Sequence, residues 1–283
     1  MSWYDKYLSI YGKPFSEVPQ NVIDDTRQRL SALQSDKPLA SIVIIGYNEE
    51  RHLQACLWAI SEIQCKYPIE IIGVDNDSSD RTAEIYKLSG IPYYTERQRS
   101  CGYARQCGLQ HARGKYYFDV DSDTLYPPRY YELMLEQLMK PGVVAVSATW
   151  SYFSDGSHSK LGLRLFELSR DLFLWVQHFN RPELSVRGLV FAYDAELGKK
   201  EGYRVDIIRG EDGSMALALK KYGKIKFVYD RDCRAVTSYS TVSHQPVWQT
   251  FVQHVRIQTR GILRIFYKTD HYEDSEDNLV KQK

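Results

Sequence analysis

The sequence predicts an α/β chain with a mixed, mainly parallel sheet flanked by helices. Three observations carry the prediction. Ser41–Gly46 and Ile69–Val74 are continuous β-branched apolar runs, as strands buried on both faces require. Segments of helical spacing alternate with these and later strands, the pattern of βαβ units with right-handed crossovers. Polar clusters follow Gly46, Val74 and Val120, and parallel sheets bind ligands beyond the carboxyl ends of their strands.

In chain order, residues 1–38 are polar and punctuated by Pro14, Pro19 and Pro38, with a helical candidate at Val22–Leu33. They read as an N-terminal extension packed on the main domain. Leu53–Ile63 places Leu53, Leu57 and Ile60 on one helical face, and the strand Ile69–Val74 is closed by the polar loop Asp75–Asp80. Helix Thr82–Ser89, strand Ile91–Thr95, helix Gly102–Ala112 and strand Lys115–Val120 complete the first half. Farther on, Val143–Trp150, Val186–Tyr193 and Ile225–Tyr229 read as strands, and Leu161–Phe179 and Glu211–Tyr222 as helices. Trp248–Lys268 has the spacing of a long amphipathic helix, ahead of an acidic tail. The expected division is an extension (1–38), a catalytic domain (39–245) split at 125/126, and a C-terminal helix with its tail (246–283).

Composition narrows the class. With 37 Lys and Arg against 36 Asp and Glu, the net charge of +1 argues against a general nucleic-acid binder. No run approaches the roughly 18 apolar residues of a membrane span, and the start lacks a secretory pattern. Five cysteines without CxxC spacing read as reduced thiols. The expectation is a cytoplasmic protein.

The chemistry-bearing segment is Asp119-Val120-Asp121-Ser122-Asp123. Carboxylates crowded at a strand end repel one another, and hard oxygen donors suit Mg²⁺ or Mn²⁺. A calcium loop is excluded, because Thr124 and Tyr130 stand where it needs Gly and Glu. A solvated acidic turn would also produce the pattern.

Four further segments give it context. Ser41–Glu50 resembles the opening strand of family 2 glycosyltransferases, which have the GT-A (Rossmann-like) fold. Val74–Thr82 resembles their V-D-D-G-S-x-D-x-T loop, with Asn76 and Asp77 in place of the second Asp and the Gly. Ala104-Arg105-Gln106-x-Gly108, followed by Ala112-x-Gly114, resembles A-R-N-x-G…A-x-G. Asp121-Ser122-Asp123 then takes the D-x-D place and Asp119 is an additional acid, while Gly210-Glu211-Asp212 resembles the family's G-E-D. The resemblance covers about residues 40–230, five motifs in order.

It implies a metal-dependent transfer, with inversion, from a UDP- or GDP-linked sugar to a hydroxyl of a glycan or lipid-linked acceptor. On the donor side it implies Tyr47, Asn48, Glu49, Asp75, Asp77, Arg105 and Asp121. Tyr47 would pack on the base, Asp75 would accept from the base or ribose, and the Arg105 fork would suit carbonyl or phosphate oxygens. Asp121 and Asp123, with His244, would hold Mn²⁺ or Mg²⁺. Asp212 would be the general base, because an acceptor hydroxyl must lose its proton as it attacks, with Glu211 orienting the acceptor. Trp150 is the acceptor-stacking candidate. Val236–Ser240 resembles a loop that follows the last core strand.

Blander readings fit the same residues. Tyr47 suits a core, Arg105 an exposed ion pair, and His244 a solvated surface. Glu211 and Asp212 suit a helix N-terminus on dipole grounds alone. A sugar-nucleotide pyrophosphorylase is disfavoured because acidic Tyr47-Asn48-Glu49-Glu50 stands where such enzymes carry a Gly-rich basic loop. A non-catalytic carbohydrate-binding protein is the other alternative. In the C-terminal helix Arg256, Arg260, Arg264 and Lys268 share one stripe, which suits either peripheral membrane contact or packing on the domain.

Overall fold

A computed structural model describes residues 2–153, 160–238 and 278. After two short 3₁₀ turns come α1 (Gln20–Leu33), β1 (Ala40–Gly46), α2 (Leu53–Ser61), β2 (Ile69–Asp75), α3 (Thr82–Ser89) and β3 (Tyr93–Thr95). Next are α4 (Cys101–His111), β4 (Tyr116–Asp121), β5 (Thr124–Leu125), α5 (Tyr130–Leu138), β6 (Val143–Ala148) and β7 (Trp150–Phe153). The remainder is α6 (Lys160–Asn180), β8 (Phe191–Asp194), α7 (Ala195–Glu201), α8 (Glu211–Lys220), β9 (Lys224–Val228) and β10 (Ala235–Ser238).

Seven strands form one sheet in the order β3-β2-β1-β4-β8-β6-β9. β1 is parallel to β2 and β4, β2 to β3, and β6 to β9, whereas β8 runs antiparallel to both β4 and β6. The sheet is therefore mixed and mainly parallel. A second sheet, β5-β10-β7, stands apart.

All seven residues of β1 and of β2 are buried, as their unbroken apolar runs demand. Successive side chains point to opposite faces. Ile42 and Ile44 join the core that includes Leu53, Leu57, Ile85 and Leu135, and Val43 and Ile72 join the one that includes Leu109, Met215 and Leu219. Helices α1, α2, α3 and α5 thus cover one face and α4, α7 and α8 the other. Residues 2–38 are built into the first core through Tyr7, Ile10, Phe15, Ile23 and Leu30, each less than 9% exposed. Glu62 ties this segment down, accepting from Tyr7 Oη at 2.8 Å, Arg29 Nη1 at 2.9 Å, Trp58 Nε1 at 3.2 Å, and also from Lys6 Nζ.

Several expected elements are corrected. Val143–Trp150 is two strands in different sheets, β6 ending at Ala148 and β7 beginning at Trp150. An apolar run cannot report a change of sheet. Val186–Tyr193 is a strand only from Phe191, because Gly188–Val190 forms a 3₁₀ turn. Val236–Ser238 belongs to strand β10 and is not a loop. Helix α5 was not expected, since fully buried Tyr130 and Tyr131 side by side blur its period. His244, the segment Trp248–Lys268 and the acidic run up to Asp277 lie outside the described residues. Among the described residues, no helix is long and apolar enough to cross a membrane.

Candidate active site

Parallel β1, β2 and β4 end on the same side of the sheet, and a cavity of about 610 Å³ opens there. Its wall combines Tyr47 and Glu49 after β1, Asp121, Ser122 and Asp123 after β4, Arg105 from α4, Arg187 and Gly188 before β8, and Arg209 to Asp212 at the start of α8. Residues separated by more than 150 positions therefore share one space.

Arg105 is the hub. Only 3% exposed, it donates through Nη2 to Asp121 Oδ1 at 2.8 Å and through Nε to Glu211 Oε1 at 3.2 Å. Its Nη1 lies 3.0 Å from Asp119 Oδ1. One guanidinium ties the end of β4 to the first turn of α8. Its fork faces the chain's own carboxylates, which the exposed-ion-pair reading did not anticipate. Asp119, fully buried, also accepts from Tyr203 Oη at 2.6 Å. Burial pushes the Asp119 carboxyl up to about 7 in spite of the nearby Arg105 charge, and burial likewise raises Glu211 against Arg105's pull.

Asp212 is aimed by the main chain. Its Oδ2 accepts from the Gly188 N–H at 2.6 Å and its Oδ1 from the Gly213 N–H at 2.7 Å. Gly210, at φ 94°, turns the chain into α8 and so sets Glu211 and Asp212 in the first turn. Gly188 packs directly on the Arg105 guanidinium, where a Cβ would overlap it.

Elsewhere on the cavity lining, burial pushes Asp123 up to about 7, and the neighbouring Asp121 and Glu49 carboxylates push the same way. Glu49 Oε2 lies 2.7 Å from His52 Nδ1. No group of three His, Cys, Asp or Glu side chains suited to a metal occurs among the described residues. Asp121 and Asp123 nevertheless fit a hard cation of the Mg²⁺ or Mn²⁺ type. Such ions keep waters and take one or two protein carboxylates plus phosphate oxygens in place of an all-protein cage.

Tyr47 is 44% exposed with the Arg99 guanidinium 5.2 Å above its ring, so it is not a core residue. Asn48 lies beside the cavity in a left-handed conformation (φ 55°), its Oδ1 accepting from the Ser79 N–H at 2.8 Å. Asp77, at the place of the family's Gly, has φ 58° and pairs with Arg99 at 3.2 Å. Asp75 is buried beneath its loop, its carboxyl raised by burial, and does not line the cavity; its neighbour Asn76 does. Trp150 is also away from the cavity. It is 6% exposed, donates from Nε1 to Tyr152 Oη at 2.9 Å and lies under Arg170.

The sequence reading missed Arg187 and Arg209 on the cavity wall, and Tyr11, whose hydroxyl donates to the Asp123 carbonyl at 2.8 Å. Isolated basic residues and one N-terminal tyrosine carry no motif. The signal for the arginines was adjacency, one beside Gly188 and the other beside Gly210.

Residues 41–192, more than half of the chain, match the family described as Glycosyl transferase family 2. The chain belongs to that family. It is 27% identical over 187 residues to an uncharacterized glycosyltransferase of Methanocaldococcus jannaschii, with 63% of each chain covered. It is 29% identical over 124 residues to glycosyltransferase AglE of Haloferax volcanii, covering 41% of this chain and 38% of AglE. This family 2 chain spans less than two thirds of the length of these curated relatives. Among solved structures it is similar to the mannosyltransferase PcManGT from Pyrobaculum calidifontis in complex with GDP-Man and Mn²⁺. There the TM-score is 0.57 at 18% identity, with 77% of this chain and 65% of that chain covered. Residues 1–349 of S. aureus TarS in complex with UDP-GlcNAc give a TM-score of 0.53 at 14% identity, covering 81% and 68%. These likenesses show the fold, which is GT-A.

Proposed function

We propose that the chain transfers a sugar from a nucleoside-diphosphate sugar to an acceptor hydroxyl, with inversion and with Mn²⁺ or Mg²⁺ on the donor side. The observation that carries this is the convergence of Asp121, Asp123 and Asp212 on the lining of one cavity, with Arg105 joining Asp121 to Glu211. The relatives' descriptions and the nucleotide sugars held by the fold neighbours support the same reading.

Each residue has a part in this reading. Asp121 and Asp123 would hold the cation, which when bound supplies Lewis-acid stabilisation of charge on the leaving diphosphate. Asp212, aimed by two main-chain N–H groups, takes the acceptor proton as the oxygen attacks. Glu211, anchored on Arg105, orients the acceptor. Tyr47 offers an exposed ring to the base, and Arg187 and Arg209 line the cavity beside α8. The pyrophosphorylase alternative is weakened further by the loop after β1. The N–H groups of Asn48, Glu49 and Glu50 donate to Ser78, Thr82 and Asp80, so they are not available to cradle phosphates.

The test compares the wild type with Asp123→Ala and Asp212→Asn in donor binding and turnover, with and without Mn²⁺. Asp123→Ala should lose Mn²⁺-dependent donor binding. Asp212→Asn should keep it while turnover falls by about 10²-fold or more, the scale of a positioned general base. Undiminished turnover in both variants would refute the assignment.

A further inference from the structure

The lining of the catalytic cavity carries the acids Glu49, Asp121, Asp123, Glu211 and Asp212, and its only bases among the described residues are Arg105, Arg187 and Arg209. Arg105 is buried and engaged by Asp119, Asp121 and Glu211. Arg187 and Arg209 are exposed, and neither forms an ion pair with a described residue, although Glu211 and Asp212 belong to the same lining. Exposed arginines elsewhere do find acids: Arg81 pairs with Glu84 at 2.8 Å and Arg99 with Asp77 at 3.2 Å.

Both cavity arginines are held in place by hydrogen bonds that leave donors over. Arg187 Nη1 donates to the Leu184 carbonyl at 3.0 Å and to the Val186 carbonyl at 2.6 Å, so Nε and Nη2 have no acceptor among the described residues. The Arg209 N–H donates to Asn278 Oδ1 at 3.0 Å, and its carbonyl accepts from Asn278 Nδ2 at 2.9 Å. The Ile208 N–H adds a bond to the Asn278 carbonyl at 2.7 Å. The backbone beneath Arg209 is thus fixed, while its guanidinium has no described partner. Groups ordered before a ligand arrives lose less freedom in binding it.

Their place in the chain indicates the ligand. Arg187 immediately precedes Gly188, whose N–H holds Asp212 Oδ2, and Arg209 precedes Gly210, the turn that sets Glu211 and Asp212. The two arginines therefore flank the carboxylate assigned to the acceptor's proton, whereas Asp121 and Asp123 serve the donor's diphosphate through the cation. A lining this acidic repels an anion, so two unpaired guanidinium groups on it answer to negative charge brought by a ligand. The hydroxyls of a neutral glycan need no such charge. Two planar forks, each able to hold two oxygens, match a phosphate group.

We propose that the acceptor is a phosphate ester, its phosphate held by Arg187 and Arg209 while its hydroxyl meets Asp212. The proposal rests on the transfer reading above and names the class of its acceptor.

Calorimetry on the full chain tests it, with Mn²⁺ and either UDP or GDP already bound. The probes are glycerol 3-phosphate, a soluble ester, and hexyl phosphate, a lipid-like one. At least one should bind beside the nucleotide, glycerol should not, and affinity should fall as salt rises. The tighter ester identifies a soluble or a lipid source. Arg187→Gln and Arg209→Gln should each weaken that ester by about tenfold or more, the scale of hydrogen bonds to charged groups, with a wild-type circular dichroism spectrum. Undiminished binding in both variants would overturn the proposal. So would competition between ester and nucleotide, which assigns the arginines to the donor's diphosphate. Nucleotide bound with no ester held refutes the phosphate assignment alone. An ester held with neither nucleotide bound leaves the phosphate site standing and counts against the transfer reading.

Discussion

Asp119 and Asp123 are carboxyls whose charged form the fold disfavours, each pushed up to about 7 first of all by burial. The sign of the consequence follows from proton linkage. Near pH 3 both groups are protonated in the folded and unfolded chains, so neither affects stability. As pH rises through the unfolded value near 4 toward 7, the unfolded chain releases protons that the fold retains, and stability is lost. Above about 7 the loss is complete. Without metal, Asp119→Asn and Asp123→Asn should each raise Tm relative to wild type at pH 7.5, by more than at pH 4, in paired thermal scans. A variant gain that is equal at both pH values would contradict the assignment. At the same scale, Gly188→Ala must displace the Arg105 guanidinium, because no space exists for its Cβ. Overpacking of this kind costs about 1–3 kcal/mol, seen as a lower Tm. Misplacing the group that links Asp121 to Glu211 should lower turnover by about 10²-fold at temperatures where the variant remains folded.

At the scale of elements, what the sequence revealed depended on whether burial was two-sided and continuous. β1 and β2 are buried throughout, so their apolar runs were unmistakable. Helix α3 fell on Thr82–Ser89 as expected, stopped by Gly90 in the left-handed conformation. Where environment changes along a run, the pattern loses its meaning. Val143–Trp150 looks uniform, yet its last residue enters another sheet. The candidate site divides on similar grounds. That Asp121 and Asp123 stand at the cavity could be read because their motif coincides with the end of β4, and Glu211 and Asp212 because theirs opens a helix. That Asp119 and Glu211 would converge on Arg105 could not, because that contact joins α4, β4 and α8 across the sheet. Trp150 was misleading for a simple reason: an aromatic ring that stacks on sugars also fills a core, and here it is covered by Arg170.

For the whole molecule, the first 33 residues belong to the fold's foundation. Tyr7, Ile10, Phe15, Val18, Ile23 and Leu30 all enter the core beneath β1 and β2. At about 1.5–3 kcal/mol for each buried apolar side chain, they contribute on the order of 10 kcal/mol. A domain's entire stability is only about 5–15 kcal/mol. Deleting residues 1–33 should therefore abolish cooperative unfolding, and a sharp calorimetric transition in the truncated chain would show that estimate to be wrong.

The seat of β8 has a broader consequence. It crosses back between β4 and β6, so a strand that comes after residue 125 is hydrogen-bonded to one that comes before it. Neither half can be lifted out as a module without stripping a hydrogen-bonded edge from the other. Grafting everything after residue 125 from a relative would thus exchange β4's own neighbour. Recombination in such a chain is better confined to its surface loops, leaving the interleaved strands as an inherited whole.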